Sequence, residues 1–496
     1  MSWGVYPVVR ICAVLIQVQT VGSDAEDRLR LAQLLGTSSS EAFLLRSDVV
    51  SMRPGDRPTV RLLPVELSTV YNTTLPFSLN DGAMWAGRGW NQMLRLGVGL
   101  RWRHVTLVLA PALVSAENLA YPLPADSVQL PRPPGRSSYS TPWHVGAYSI
   151  DLPLRFGTRG FTGLDAGQST LAADLGPVTM GVSSANAWWG PGIRNAIVLS
   201  NNAPGIWRAF VNVTGKRVSA RWFLGGLFES PYFDSTSTDD ARAMSALAIT
   251  WAPRFAPNLT LGAARAVYAP LSAWSDIGKH AFDVARGNGA RQRNQIFSLF
   301  GRWVFPADGF AVHAEWARSQ LPRSVRELLI SPNHTLGYTM GLEWARPLGA
   351  AGAAFRMQAE VTDLEKSPAY RNLPEETWYT GDAAPQGYTQ RGQVIGAAIG
   401  PAASTQWLAW DYVAPRWRAG LFVGRIRWDD DALFLTPGAA DEKRLLHDVS
   451  VFGGARAATQ SPLGLIEATL TAGRRLNLFY EESTIGTTTL ALRFTP

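Results

Sequence analysis

Cysteine is almost absent from this chain of 496 residues, because Cys12 is the only one. A disulfide framework and a cysteine-rich metal site are therefore excluded. The sequence also lacks any run of about 20 apolar residues, which a membrane-spanning helix would need. Charged residues make up only 17% of the chain, against about a quarter in an average soluble domain. A helical membrane protein and a small disulfide-stapled protein are both ruled out.

Familiar catalytic and nucleotide-binding motifs are missing as well. The six histidines are scattered and give no close metal-ligand spacing. There is no G-x-S-x-G nucleophile elbow and no P-loop. The net charge is +7, but no dense basic run is present, which argues against a nucleic-acid partner. The sequence therefore predicts no catalytic residues, no metal, no cofactor and no enzyme.

Strict alternation of apolar and polar residues is what the chain does contain. Phe355–Thr362 reads F-R-M-Q-A-E-V-T, and Leu94–Arg103 reads L-R-L-G-V-G-L-R-W-R. A period of two is the pattern of a β-strand with one apolar and one polar face. The pattern recurs to the last strand near Phe494, with short turns alternating with long loops. This is typical of a closed antiparallel outer-membrane β-barrel, here of about 18 strands.

The predicted strands imply three regions of the chain. Residues 1–22 include a short apolar stretch after Arg10 and are expected to be a signal peptide. Residues 23–90 are expected to form an N-terminal helical bundle and connecting segment, either plugging the lumen or capping its periplasmic mouth. The first helix has Ser23 or Asp24 as its N-cap and Gly36 at its C-terminus, and a second short helix follows. Residues 91–496 are expected to form the barrel, including strands at 144–152 and 391–399.

Alternation also assigns the side chains to faces. Charged residues on the lipid side would cost several kcal/mol each near the bilayer midplane, so they are predicted to face the lumen. The lumen-facing charges expected on this basis are Arg95, Arg101, Arg103, Arg208, Arg217, Arg221, Arg356, Arg493, Glu315, Glu343, Glu360 and Glu467, together with His313 and Gln358. An arginine-rich lumen would attract anions; alternatively, Arg–Glu pairs only rigidify the wall. Tryptophans near strand ends, among them Trp102, Trp143, Trp222, Trp303 and Trp407, are expected to form interfacial girdles. The run Trp428–Asp431 either binds a cation or is solvated.

Two segments carry a resemblance to a known family. Residues 183–204 read S-S-A-N-A-W-W-G-P-G-I-R-N-A-I-V-L-S-N-N-A-P, and residues 387–401 read G-Y-T-Q-R-G-Q-V-I-G-A-A-I-G-P. Both resemble the capsule assembly Wzi family, and the resemblance covers most of residues 25–496. It implies an outer-membrane barrel of eighteen strands with a small N-terminal helical bundle. It also implies a lectin-like protein without catalysis that helps attach capsular polysaccharide to the cell surface.

The first of these segments also has a physical interpretation. Gly190, Pro191 and Gly192 permit a tight turn. Trp188 and Trp189 offer flat faces for sugar rings, while Asn195, Asn201 and Asn202 offer donors and acceptors for hydroxyls. These five side chains are the predicted glycan-binding residues; the alternative is that they only brace the barrel wall.

Three functions remain open at this point. The first is a non-enzymatic protein that binds acidic capsular or exopolysaccharide, with outer-membrane lipids and polysaccharide export machinery as further partners. The second is a porin-like channel for anions or small solutes. The third is an outer-membrane enzyme that modifies glycan or lipid.

Overall fold

The computed structural model describes residues 23–38, 44–47, 58–122, 159–230, 241–286, 294–322, 324–349, 352–370, 377–380, 384, 386–435 and 446–496. The expected signal peptide at 1–22, the strand expected at 144–152 and Trp143 lie outside these ranges. Among the described residues, no helix is both long enough and apolar enough to cross a membrane.

The helices within the described ranges are α1 (Asp24–Leu34), α2 (Val325–Ile330) and α3 (Asp430–Leu435), with 3-10 helices at Trp274–His280, Asp283–Ala285 and Leu478–Tyr480. The first twelve strands are β1 (Leu45–Ser47), β2 (Thr59–Asn72), β3 (Gly89–Trp102), β4 (Val105–Leu109), β5 (Ala112–Ala116), β6 (Phe161–Asp165), β7 (Thr170–Leu175), β8 (Val178–Ser183), β9 (Ala187–Trp189), β10 (Trp207–Thr214), β11 (Val218–Leu227) and β12 (Arg242–Trp251). The others are β13 (Leu259–Pro270), β14 (Asn294–Phe305), β15 (Phe310–Arg318), β16 (Leu336–Leu348), β17 (Ala353–Asp363), β18 (Thr389–Gln390), β19 (Gln393–Val394), β20 (Ser404–Val413), β21 (Trp417–Arg427), β22 (Val449–Ser461), β23 (Gly464–Leu476) and β24 (Thr484–Thr495).

Twenty of the described strands form one closed antiparallel barrel, in which β2 pairs with β24 to complete the wall. Strands β4 and β5 both pair with β3, so they share one position in the wall. Strand β7 pairs with β4, and strand β6 pairs with β5, so β6 and β7 share the next position in the wall. The wall therefore has eighteen strand positions, as the sequence predicts. Strands β1 and β9 form a separate two-stranded sheet, as do β18 and β19.

The outer face of the barrel is apolar. Leu96, Leu421, Val423, Leu470 and Leu492 are among many large apolar side chains that are between 42% and 63% exposed. The inward positions of the same strands carry charged and polar side chains. Closure satisfies the backbone hydrogen bonds of every wall strand, which is what a lipid environment requires. The protein is a multi-pass outer-membrane β-barrel.

The two ends of the barrel differ in their connections. At one end, called the short-turn end, strands are joined by brief links such as 103–104, 215–217, 306–309 and 414–416. At the opposite, long-loop end the connections include 184–206, 364–403 and 428–448. In outer-membrane barrels short turns face the periplasm and long loops face the cell exterior.

An aromatic girdle surrounds the short-turn end. Trp102, Trp251, Trp303 and Trp417 are between 40% and 49% exposed, and each lies close to a short turn. These positions fit the predicted interfacial girdle, which stays a prediction. Trp407 was expected in the girdle as well, but it is only 6% exposed and faces the lumen. Residues 407–410 of β20 are apolar on both faces of the strand, so alternation alone does not determine which way the Trp407 side chain points.

Three other expectations about the chain are wrong. The barrel begins before residue 91, because β2 (Thr59–Asn72) is a full wall strand. The expected second helix is absent at Leu45–Ser47, which form β1 and pair with Ala187–Trp189. Residues 391–399 are not a wall strand; a tight hairpin turns this part of the chain into the lumen, as described below.

Most of the charged residues expected to face the lumen lie on the inward side of their strands. In β17, Arg356, Gln358 and Glu360 are 0–1% exposed and point into the lumen. Arg95 and Arg101 are buried inward on β3, and Arg221 has the inward parity of its neighbours in β11. Arg217 is not lumen-facing, because it lies exposed in the turn before β11, where its guanidinium donates to the carbonyl of Ala252.

A similar correction applies to Arg103. It occupies the turn after β3 with a φ of 51° and lies over the Trp102 ring. Strand β3 ends one residue before Arg103, and strand β11 begins one residue after Arg217, so each arginine lies just outside the alternating pattern.

Candidate functional site

Helix α1 lies inside the lumen at the short-turn end. Its N-cap is Ser23, whose hydroxyl accepts the backbone N–H of Glu26, and Gly36 follows the helix with a φ of 72°. Leu31 and Leu34 pack against a patch of inward side chains on the wall. That patch consists of Val304, Ala311, Ala345, Ala354 and Val413. The apolar stripe of the helix is therefore buried against the barrel, and its polar stripe faces the lumenal charges.

Ion pairs attach α1 to the wall. Asp27 accepts from Arg356 at 3.0 Å and also pairs with Arg418. Arg356 in turn binds Asp411 at 2.7 Å, and Arg456 reaches the same carboxylate at 2.6 Å. Burial opposes ionisation of Asp27, but the three arginines outweigh it and hold the pKa of this carboxyl well below its usual range. A buried pair of this kind is costly to break, because one partner would be left as an unpaired buried charge.

The second attachment of α1 is through Arg30. Its guanidinium donates to Glu343 at 2.9 Å and to the carbonyl oxygens of Pro191 and Gly192 at 2.8 and 3.1 Å. Arg302 donates to the same Glu343 carboxylate at 3.0 Å. Arg30 thus connects α1 both to the wall and to the W-W-G-P-G segment.

The W-W-G-P-G segment belongs to a loop that folds into the lumen. We call residues 184–206 the first lumenal loop. Gly190 has a φ of 120°, which favours glycine. A Cβ at Gly192 would collide with the carbonyl oxygen of Asn195. The two glycines are therefore required by the path of the backbone.

Carboxylates of the wall hold this loop by its backbone. Glu360 accepts hydrogen bonds from three successive N–H groups, those of Ile193, Arg194 and Asn195, the last two at 2.9 Å. Glu315 accepts from the N–H of Ile197 at 3.2 Å. Several N–H groups converging on one carboxylate form a strong, charge-assisted contact. The loop is thereby fixed against β15 and β17.

Arg46 of β1 braces the same segment. Its guanidinium lies 4.9 Å from the centre of the Trp188 ring and donates to the carbonyl of Gly192 at 2.9 Å. It also pairs with Glu26 of α1. Burial, with repulsion from Arg302, lowers the pKa of Arg46 to about 9.

The R-G-Q-V-I-G segment forms a hairpin within a second loop, and we call residues 386–403 the second lumenal loop. Strands β18 and β19 flank Arg391 and Gly392, whose φ values are 50° and 89°. Two consecutive positive φ angles are those of a type I′ hairpin turn, for which glycine is favoured. Arg391 pairs with Asp165 on the opposite side of the lumen at 2.8 Å.

The two lumenal loops meet, which joins the two segments that carry the family resemblance. The hydroxyl of Tyr388 donates to the carbonyl of Val198 at 2.7 Å. The hydroxyl of Tyr379, which precedes the second lumenal loop in the chain, donates to the carbonyl of Ile197 at 3.0 Å. The backbone N–H of Ser200 donates to Ile395 at 3.0 Å. The sequence identifies both segments but gives no sign that they touch, because Tyr388 and Val198 are 190 residues apart.

All five predicted glycan-binding residues lie in the first lumenal loop. Four of them are buried: Trp188, Trp189, Asn195 and Asn201 are between 2% and 7% exposed, while Asn202 is half-buried. Asn201 donates to Asn80 at 3.2 Å and Asn202 to Val394 at 2.9 Å. In this conformation the loop braces the interior, and sugar contact by these residues stays a prediction.

The acidic run Trp428–Asp431 is neither solvated nor arranged for a metal. Asp429, Asp430 and Asp431 are at most 1% exposed. Asp430 pairs with His447, and Asp431 accepts from the hydroxyl of Thr377 at 2.5 Å. The run therefore ties loops together at the long-loop end. Among the described residues, no group of three His, Cys, Asp or Glu is suited to hold a metal ion.

Two adjoining cavities lie along the β2–β3 and β23–β24 side of the lumen. The larger, of about 260 Å³, is lined by Asp81, Trp188 and Arg194, and the other, of about 240 Å³, reaches Pro496 near the short-turn end. Both share an ion-paired group. It comprises Glu66, Arg95, Glu467 and Arg493. The sequence gives no signal for Glu66 and Asp81 at this site, because residues 23–90 are expected to form a helical region.

Comparison with known proteins gives a match of fold alone. No family model matches the sequence, and no curated protein matches it in sequence. The structure is similar to Wzi of Escherichia coli, which is described as an outer-membrane, carbohydrate-binding β-barrel involved in group 1 capsule assembly. The TM-score is 0.57 and the sequence identity 10%, over 87% of this chain and 84% of that chain. A BenF-like porin from Pseudomonas fluorescens Pf-5 has a TM-score of 0.45 and 9% identity, and Pseudomonas aeruginosa OccK8 (OprE) a TM-score of 0.43 and 9% identity, each over 88% of this chain and 98% of the other.

Proposed function

We propose that this outer-membrane barrel is a non-enzymatic protein that binds surface polysaccharide, capsular or exopolysaccharide, and helps its attachment or assembly at the cell surface. The observation that carries the proposal is the content of the lumen. Helix α1 and both lumenal loops cross it and are fixed to the wall and to one another by buried hydrogen bonds and ion pairs. Such an interior supports a rigid set of external loops better than it supports a wide solute path.

Two further observations support the proposal. The fold is similar to that of a carbohydrate-binding barrel, and the W-W-G-P-G and R-G-Q-V-I-G segments resemble the family of capsule assembly barrels. In this chain those segments form the internal brace beneath the long loops. We place the glycan contacts at the long-loop end, with acidic polysaccharide as the preferred ligand and the polysaccharide export machinery as a further partner.

The proposal is tested with the purified full chain in detergent. Binding is measured by biolayer interferometry to immobilised acidic polysaccharide extracted from the source cells, with a neutral glucan as the control. In parallel, a deletion strain is scored for surface-retained against shed polysaccharide. Binding of the acidic glycan together with increased shedding supports the proposal; absence of both overturns it.

Direct contact by the first lumenal loop is tested with Asn202→Ala, since Asn202 is the least buried of the five predicted residues. A drop in glycan affinity with an unchanged melting temperature indicates contact. A drop in glycan affinity together with a lower melting temperature indicates that the residue acts as a brace.

A narrow solute path is the second candidate function. The two adjoining cavities favour it, because together they extend from the short-turn end to Asp81 and Arg194 in the middle of the lumen. The ion-paired group around Glu66 and Arg95 separates them. Conductance in planar bilayers tests this candidate, and a conductance that changes in Arg95→Gln would support it.

A further inference from the structure

Two arginines face outward, toward the membrane, at the long-loop end of the barrel. The register of the wall places Gln406 beside Arg425, Arg425 beside Val451, and Val451 beside Arg474. These residues form one row across β20, β21, β22 and β23. Arg474 is exposed and Arg425 is half-buried. Two strand spacings separate the arginines, which is roughly 10 Å.

Neither arginine is neutralised by a carboxylate within the described part of the chain. Arg425 donates to the amide oxygen of Gln406 at 3.1 Å. The neighbouring acids Glu365 and Asp430 are both paired with Arg427. Arg474 forms no ion pair with any residue that the structure describes, and its neighbour Arg475 points the other way and binds Asp448. The row therefore presents two positive charges at the level of the outer leaflet headgroups.

An apolar groove begins directly beneath this row. A depression of about 1020 Å³ is lined by both arginines and by Val423, Gly453 and Ala472. A second depression of about 620 Å³ continues toward the short-turn end, lined by Leu421, Ala455 and Leu470 among others. The groove follows β22 and has a charged upper end and an apolar length.

We propose that this groove is a specific binding site for a phosphorylated, acylated glycolipid of the outer leaflet. Its phosphates contact Arg425 and Arg474, and one acyl chain lies along β22. Guanidinium groups bind phosphate bidentately. A sugar headgroup with two phosphates spans the distance between the arginines, whereas a zwitterionic phospholipid would bring an ammonium group next to them. The site is on the outer wall and does not depend on polysaccharide binding by the loops.

The simpler interpretation is that each arginine extends to water or to any headgroup, as long basic side chains do at membrane interfaces. Arg346 provides the matched control. It is an exposed arginine in the outward-facing register of β16, but it lies at the short-turn end. A site built for one lipid should depend on the arginine pair and not on Arg346.

The test uses native mass spectrometry of the full chain in a neutral detergent. The probes are bisphosphorylated lipid A, the same lipid with both phosphates removed, and phosphatidylethanolamine. We expect wild-type protein and Arg346→Gln to retain bisphosphorylated lipid A about tenfold more than either other lipid, a ratio equivalent to about 1.4 kcal/mol. The double variant R425Q/R474Q should lose this preference while keeping the wild-type melting temperature.

The proposal is overturned if R425Q/R474Q retains the preference, or if Arg346→Gln loses as much of it as the double variant does. It is also overturned if the wild type binds all three lipids equally. Should the double variant melt early, the single variants Arg425→Gln and Arg474→Gln are compared, and each must reduce retention of the bisphosphorylated lipid for the proposal to stand.

Discussion

The carboxylate of Glu360 accepts the backbone N–H of Asn195 at 2.9 Å and so joins wall strand β17 to a loop that is 165 residues away in the chain. The same carboxylate binds the N–H groups of Ile193 and Arg194. A residue that alternation assigns only to the lumenal face is therefore the anchor of the first lumenal loop. Apart from His313 of the wall, its partners are backbone groups, which no pattern of side chains in the sequence could reveal.

Replacing this anchor should release the loop. In Glu360→Gln the side chain keeps its size but loses its charge and one acceptor oxygen, so the three N–H groups are no longer all satisfied. We expect the free energy of unfolding to fall by about 2 kcal/mol, since hydrogen bonds to a charged group contribute about 1.5–3 kcal/mol. Urea unfolding followed by tryptophan fluorescence measures the change.

Glu482→Gln is the control, because Glu482 is exposed on the 477–483 connection. It should leave the unfolding midpoint unchanged. If both variants unfold at the wild-type midpoint, the Glu360 contacts do not stabilise the loop.

The close turn at Gly192 gives a second prediction. Gly192→Ala places a methyl group against the carbonyl oxygen of Asn195 and toward the Glu360 carboxylate. We expect about 1–3 kcal/mol of destabilisation and a faster cleavage of the loop by protease. Gly486→Ala on β24, where an added Cβ meets nothing within 4 Å, should behave as the wild type. Equal protease resistance in both variants would contradict the observed path of the loop.

The barrel could be predicted because each wall strand must alternate to separate lipid from lumen, and that constraint is local. Strand β2 could not be predicted in this way, because the alternation of apolar and polar residues is interrupted within it. Its pairing with β3 shifts register between Leu63 and Glu66 around Pro64, and a bulge of this kind breaks the two-residue period. Strand β5 was missed for a similar reason, because Pro111 interrupts the pattern between β4 and β5.

The interior of the barrel could be predicted much less well. The segments inside the lumen have no face in contact with lipid, so their sequences carry no alternation, and their contacts are made between distant parts of the chain. Residues 391–399 look like a strand, yet the turn at Arg391 and Gly392 folds them inward. The two resembling segments could be recognised individually, but the contact of Tyr388 with Val198 required the structure.

Acidification should loosen α1. The folded-state pKa of Asp27 is depressed, so its stabilising contribution is present above the unfolded pKa of about 3.9 and is lost as the pH falls below that value. At pH 3 this stabilising contribution is reduced by about 1 kcal/mol, because the unfolded chain then binds a proton that the folded chain does not. Unfolding at pH 3 and pH 6 should show this difference in the wild type and a smaller one in Asp27→Asn. An identical pH dependence in the two proteins would show that Asp27 is not the group responsible.

Helix α1 should also limit ion flow at the short-turn end of the lumen. The double variant Asp27→Ala/Arg30→Ala removes the ion pairs of Asp27 with Arg356 and Arg418 and that of Arg30 with Glu343. The contacts that remain, among them the ion pair of Asp24 with Arg418, hold the helix less firmly. We expect the conductance in planar bilayers to rise several-fold above the wild-type level. Thr37→Ala, on the exposed segment just after α1, is the control and should conduct as the wild type does. If the double variant conducts no more than the control, the lumenal loops alone close the barrel and α1 is not the seal.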